Sequence, residues 1–174
     1  MRVEMSHVFE VLERTPDALR SLLGGLSDDW TLPNEGPETF SPHDVVGHLI
    51  HGEKTDWIPR VRVILEQGAS KPFEPFDRFG FRAYATGVPI DTLLDEFARL
   101  RGQNLDILRG LGLTPDQLAR EGTHPVLGAV TLGQLIATWV VHDLNHLGQA
   151  MRVMAKQYGD EVGPWTQFLG ILSK

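Results

Sequence analysis

Apolar residues recur along most of this chain at intervals of three and four, and the pattern breaks at connectors rich in Gly and Pro. Val8, Val11, Leu12, Leu19, Leu22 and Leu23 mark a first helical stretch from about Val3 to Leu23. The "RTPD" inside it predicts a kink or restart, with Thr15 as cap and Pro16 in the new first turn. The connector "GGLSDDWTLPNEGPETF" follows. A second helix is predicted over "FSPHDVVGHLIHGEKTDWIPRVRVILEQG", with Ser41 as N-cap, Pro42 at the first position, Asp44 near the positive helix end and a bend at Pro59. Leu93, Leu94, Phe97, Leu100, Leu105 and Leu108 stripe a third helix from about Ile90 to Leu111. The fourth opens at "TLGQ", where Thr131 and Gln134 form a capping-box pattern, and runs to about Tyr158. Four long helices and no strand series predict an all-α four-helix bundle with long crossover connections, a single domain over 1–174.

Two connectors carry more than turns. Residues 68–89, "GASKPFEPFDRFGFRAYATGVP", contain Phe73, Phe76, Phe79, Phe81 and Tyr84. The preferred reading is a satellite aromatic core beneath a crossover; the other is a substrate lid. Residues 121–130, "EGTHPVLGAV", read as a turn-rich lead-in to the fourth helix.

Composition narrows the function. Hydrophobic residues make up 41% and charged residues 22%, an ordinary globular mixture. The net charge of −7 with scattered Lys and Arg argues against nucleic-acid binding driven by phosphate contacts. The chain has no cysteine, which excludes a disulfide framework, a cysteine-ligated metal and a cysteine nucleophile. "MRVEMSHVFEVLERT" has no apolar signal core, and no run approaches membrane-span length, so the expectation is a cytoplasmic protein without membrane contact.

"WVVHDLNHLGQ", residues 139–149, sets His142 and His146 about 40° apart on one helix face, among Leu135, Trp139 and Val153. Inward imidazoles need partners. One metal ion satisfies two of them at this spacing, and so do hydrogen bonds in a core, so the pair alone leaves both readings open. "HDLNH" is not the zincin motif, because Asp143 stands where a general-base Glu is required. Asp143 faces inward and suits an imidazole orienter or a buried ion pair with an Arg. Gln149 could hydrogen-bond a bound water or substrate, or be a satisfied core amide. On the second helix, "GHLIHGE" offers His48 and His51, and periodicity does not choose between them. His43 reads as an exposed residue of the cap region, and His7 and His124 as surface residues.

"LERTPDALRSLLGGLSDDW", "FSPHDVVGHLIHGEKTDW" and "HPVLGAVTLGQLIATWVVHDLNHLGQ", taken in order, resemble the DinB-like (YfiT-like) metal-binding four-helix-bundle superfamily, from about residue 8 to 155. This superfamily is unrelated to the DNA polymerase that shares its name. The resemblance implies a three-histidine site with one ligand from the second helix and two from the fourth: His48, His142 and His146. Three imidazoles leave coordination positions open for water or substrate, and the ion could be zinc, nickel, iron or manganese. Relatives include thiol-dependent transferases and isomerases and proteins described as hydrolases. The resemblance thus implies a metal-dependent enzyme acting on small molecules, either as an S-transferase using a low-molecular-weight thiol cosubstrate or as a hydrolase. The alternative it leaves is a non-catalytic metal-binding or dimerisation module of a stress response. A homodimer is expected in either case.

Overall fold

Two of the predicted helix starts are built as the sequence indicates. The computed structural model describes residues 3–173. The first rod of the bundle is α1 (Met5–Leu12) with α2 (Thr15–Leu23), and the connector after it holds one helical turn, α3 (Asp28–Thr31). The second rod is α4 (Pro42–Thr55) with α5 (Trp57–Gln67). The crossover contains the turn α6 (Arg82–Ala85) and leads to the third rod, α7 (Ile90–Gly110). A further turn, α8 (Pro115–Leu118), precedes a hairpin of β1 (Glu121–His124) and β2 (Gly128–Thr131), which runs directly into the fourth rod, α9 (Leu132–Lys156). α4 lies against both α7 and α9, α2 packs on α7, and α1 packs on α9. Among the described residues, no helix is long and apolar enough to cross a membrane.

The capping boxes close reciprocally. The Asp44 N–H donates to Ser41 Oγ at 3.0 Å and the Ser41 N–H to Asp44 Oδ2 at 3.1 Å. At α9 the Gln134 N–H donates to Thr131 Oγ1 at 3.1 Å and the Thr131 N–H to Gln134 Oε1 at 2.8 Å. The restart at "RTPD" is present, but Thr15 is no cap: its hydroxyl sits inside α2 and donates to the Val11 carbonyl at 3.3 Å. The second helix breaks at Asp56 (φ −112°, ψ −67°) rather than bending at Pro59. A proline ring obstructs the carbonyl four residues earlier, which is that of Thr55, so α4 ends there and α5 restarts at Trp57.

Residues 121–131 are an antiparallel hairpin, with Glu121 opposite Thr131 and His124 opposite Gly128, not a strandless lead-in. Four-residue strands are too short to show alternation in the sequence. Their order comes from docking: the Phe73 N–H donates to the Thr123 carbonyl at 2.9 Å, and Thr123 Oγ1 to the Ala69 carbonyl at 2.9 Å.

The core has two apolar clusters. One gathers Leu19, Leu23, Leu49, Ile50, Phe81, Leu94 and Phe97; the other gathers Leu12, Trp57, Ile64, Phe73, Leu105, Ile136 and Trp139. Along α4, α7 and α9 the boundary between them falls at Glu53, Arg101, Asn104 and Asp143, all buried. The crossover aromatics form no satellite core. Phe81 belongs to the first cluster and Phe73 to the second, so residues 68–89 are pinned to the bundle at both ends.

Candidate metal centre

α4 and α9 bring three imidazoles to one point. His48 and His146 are buried and His142 is half-buried. His142 Nε2 lies 3.1 Å from His48 Nε2 and 3.1 Å from His146 Nε2. The other ring nitrogens set the orientation. His48 Nδ1 is 3.4 Å from the Arg78 carbonyl, and His146 Nδ1 is 2.8 Å from Gln149 Oε1. Those contacts place protons on Nδ1 and leave the Nε2 lone pairs of His48 and His146 facing inward, toward a third ring nitrogen. A cation relieves that crowding. Metal–nitrogen bonds of about 2.0–2.1 Å hold neighbouring ligand nitrogens roughly 2.9–3.4 Å apart, so the trio is spaced for one ion.

Burial, with mutual repulsion added, holds His48 down to about 3 and His142 to about 2. His146 is also lowered by burial, although its hydrogen bond to Gln149 opposes the shift. All three are therefore neutral near pH 7, the protonation state of a metal ligand. Trp57 presents its ring to His142 (centroids 5.1 Å, 72°), and Phe40 and Phe76 flank His48. The trio opens into a cavity of about 700 Å³. Asn145, Thr138, Gln134, Asp56 and Arg60 supply polar groups to its walls. No fourth His, Cys, Asp or Glu joins the cluster among the described residues.

Other expected residues fall elsewhere. His51 turns toward Phe76 and Tyr84 and does not join the trio. His43 is buried, contrary to the exposed cap position expected of it: its Nε2 lies 2.8 Å from the Val88 carbonyl, at the end of the crossover. His7 is exposed, as expected. His124 is a half-buried strand residue that lines the cavity, where a surface residue was expected. Gln149 orients His146. Asp143 takes the ion-pair alternative, with Arg101 Nη1 2.6 Å from its Oδ2 and Nη2 3.0 Å from its Oδ1.

The buried network around Asp143 extends beyond its ion pair with Arg101 to Glu53, Asn104 and Trp139. Arg101 Nη2 also donates to Glu53 Oε1 at 2.8 Å, Asn104 Nδ2 to Glu53 Oε2 at 2.9 Å, and Trp139 Nε1 to Glu53 Oε1 at 3.2 Å. Trp139 stacks on Trp57 (5.4 Å, 8°), which touches His142, so the network backs one wall of the histidine trio. The signal was in the sequence: Arg101 lies midway between Phe97 and Leu105 at helical spacing, inside the apolar stripe. Beside the cavity, burial pushes the Asp56 carboxyl up to about 6 against the pull of Arg60.

Residues 11–150 match the DinB superfamily. No curated protein matches the chain. Among solved structures, it is similar to YfiT from Bacillus subtilis, described as "a probable metal-dependent hydrolase with an unusual four-helix bundle topology". The identity is 20% and the TM-score 0.74, over 87% of this chain and 86% of that one, a likeness of fold.

Proposed function

This chain belongs to the DinB superfamily, and from that premise we propose that it is a metal-dependent enzyme acting on small molecules. His48, His142 and His146 would hold one divalent ion, which an all-nitrogen donor set allows to be zinc, nickel, iron or manganese. One observation carries the reading: three inward Nε2 atoms, spaced for one ion, at the wall of a cavity and not sealed within the core. A structural site is closed by a fourth protein ligand. Here the three-histidine cluster is incomplete on the cavity side among the described residues.

Such an ion supplies Lewis acidity and lowers the pKa of a bound water or thiol. The chain supplies the rest. Arg78 and Gln149 fix the rings of His48 and His146. Phe40 and Phe76 pack on the ring of His48 and Trp57 on that of His142, which limits how far these rings can turn. Asp56, with a carboxyl held near 6, can take up or release a proton close to neutral pH from the cavity wall.

Hydrolysis is the leading reaction, supported by what YfiT is described as doing on the same fold. Transfer of a low-molecular-weight thiol is the second reading. A chain without cysteine must take its thiol from a cosubstrate, and the cavity is as large as pockets that hold drug-sized ligands. The test is a turnover screen of zinc-, nickel-, iron- and manganese-loaded protein on esters and amides, and on thiols paired with small electrophiles. Metal-dependent turnover abolished by His142→Ala is expected. Tight metal binding with no turnover in either arm would favour the non-catalytic module.

A further inference from the structure

The cavity extends from the trio toward the N-terminal end of α9. Leu135 stands seven residues before His142, two turns back on the same face and roughly 10 Å away at a rise of about 1.5 Å per residue. β2 leads straight into α9, so the hairpin lies beyond Leu135 and supplies the far end of the wall. Phe76, which packs on the ring of His48, lines the cavity together with Phe73, Leu135 and Val130. The polar side chains of α9 along this stretch are engaged by the chain itself. Thr138 donates its hydroxyl to the Gln134 carbonyl at 2.8 Å, and Gln134 Oε1 accepts the Thr131 N–H at 2.8 Å.

The wall ends in two aliphatic side chains held open. Val126 is 85% and Leu127 73% exposed, and both line the cavity. Their turn is built. His124 Nδ1 accepts the backbone N–H groups of both residues, each at 3.1 Å, and Gly128 completes the turn at φ +76°. The hairpin is docked in turn on the crossover, where the Phe73 N–H donates to the Thr123 carbonyl at 2.9 Å. A fixed turn that presents two aliphatic side chains to water leaves apolar surface for a partner to cover. Because that surface continues the cavity wall, the occupant within reach is the cavity's own ligand.

We propose that the substrate of this cavity carries a hydrocarbon segment, which leads from the trio past Leu135 and Phe73 and is covered at its far end by Val126 and Leu127. The hairpin tip is then a specificity element that favours longer chains. This inference rests on the cavity being the substrate site of the metal centre.

The test is calorimetric titration of the full-length, zinc-loaded protein with acetohydroxamate, butanohydroxamate and hexanohydroxamate, whose shared head group binds zinc. Affinity should rise with chain length. A fully buried methylene is worth up to about fourfold, and on a partly open wall hexanohydroxamate should bind at least about tenfold tighter than acetohydroxamate. The double variant Val126→Ser, Leu127→Ser keeps the backbone bonds to His124. It should bind acetohydroxamate as the wild type does and lose most of the gain; Leu127→Ser alone serves if the double variant does not fold. A flat series, or a gain unchanged in the variant, would overturn the proposal. An unchanged gain accompanied by loss of self-association in the variant would overturn it in favour of a second copy of the chain as the occupant of the tip. If the protein takes up no zinc, the metal reading fails and the wall is tested alone. Hexanamide should then still shift the Val126 and Leu127 methyl resonances in NMR spectra, and no shift would overturn the proposal.

Discussion

Arg101 carries one positive charge against two carboxylates in a space closed to water. Burial works against its charge, but Glu53 and Asp143 hold the guanidinium pKa above its ordinary value; the Glu53 carboxyl is raised by its own burial. Arg101→Met would leave two acids buried without a counter-charge. The expected loss is about 3–5 kcal/mol in urea unfolding, the range for breaking one side of a buried ion pair. A loss below about 1 kcal/mol would mean the carboxylates are satisfied without it. The trio sets a pH dependence of opposite origin. Folding holds three histidines below the unfolded value of about 6.5. The unfolded chain therefore takes up protons that the folded one refuses. Stability from this source is full above about pH 6.5 and falls as the pH drops below it, by at most about 4 kcal/mol per unit for three protons. Asp56 and Glu53, raised by burial, work in the other sense above the ordinary carboxylate range and reduce that slope. Metal-free protein should accordingly unfold in less urea at pH 5.5 than at pH 7; equal midpoints would contradict the burial of the trio.

At the scale of elements, the contact between α4 and the crossover matters most to the site. A Cβ on Gly47 would meet Phe81 Cδ2 at 2.7 Å and Ala85 Cβ at 3.1 Å, closer than packed atoms tolerate. The same crossover carries the Arg78 carbonyl that orients His48. Gly47→Ala should therefore cost about 1–3 kcal/mol as overpacking and lower zinc affinity with it. An unchanged melting temperature would show that Phe81 has room to move. What the sequence disclosed about elements followed from local chemistry. Ser41 with Asp44 and Thr131 with Gln134 announce helix starts because a cap needs only residues three apart. The break at Asp56 was misplaced because a proline acts on the carbonyl four residues before it. The hairpin and the burial of His43 depend on Phe73, Ala69 and Val88, partners distant in the chain, and no local pattern carries them.

Across the whole molecule, the four-rod architecture follows from periodicity, and part of the candidate metal site follows with it. His142 and His146 lie on one helix and announce their shared face. His48 is 94 residues from His142, and its choice over His51, three residues along, needed the family resemblance. Both sit on α4, and only the way α4 faces α9 separates them. The outer side of α9 leaves Val141, Leu144 and Met151 exposed at 63%, 52% and 44%. The central claim is that the trio holds one divalent ion. Protein purified without a nickel column should contain about one divalent ion per chain by elemental analysis, or take up one equivalent of zinc after chelation, and His142→Ala should do neither. A wild-type protein that retains and takes up no ion, or a His142→Ala variant that binds it as well, would contradict the account.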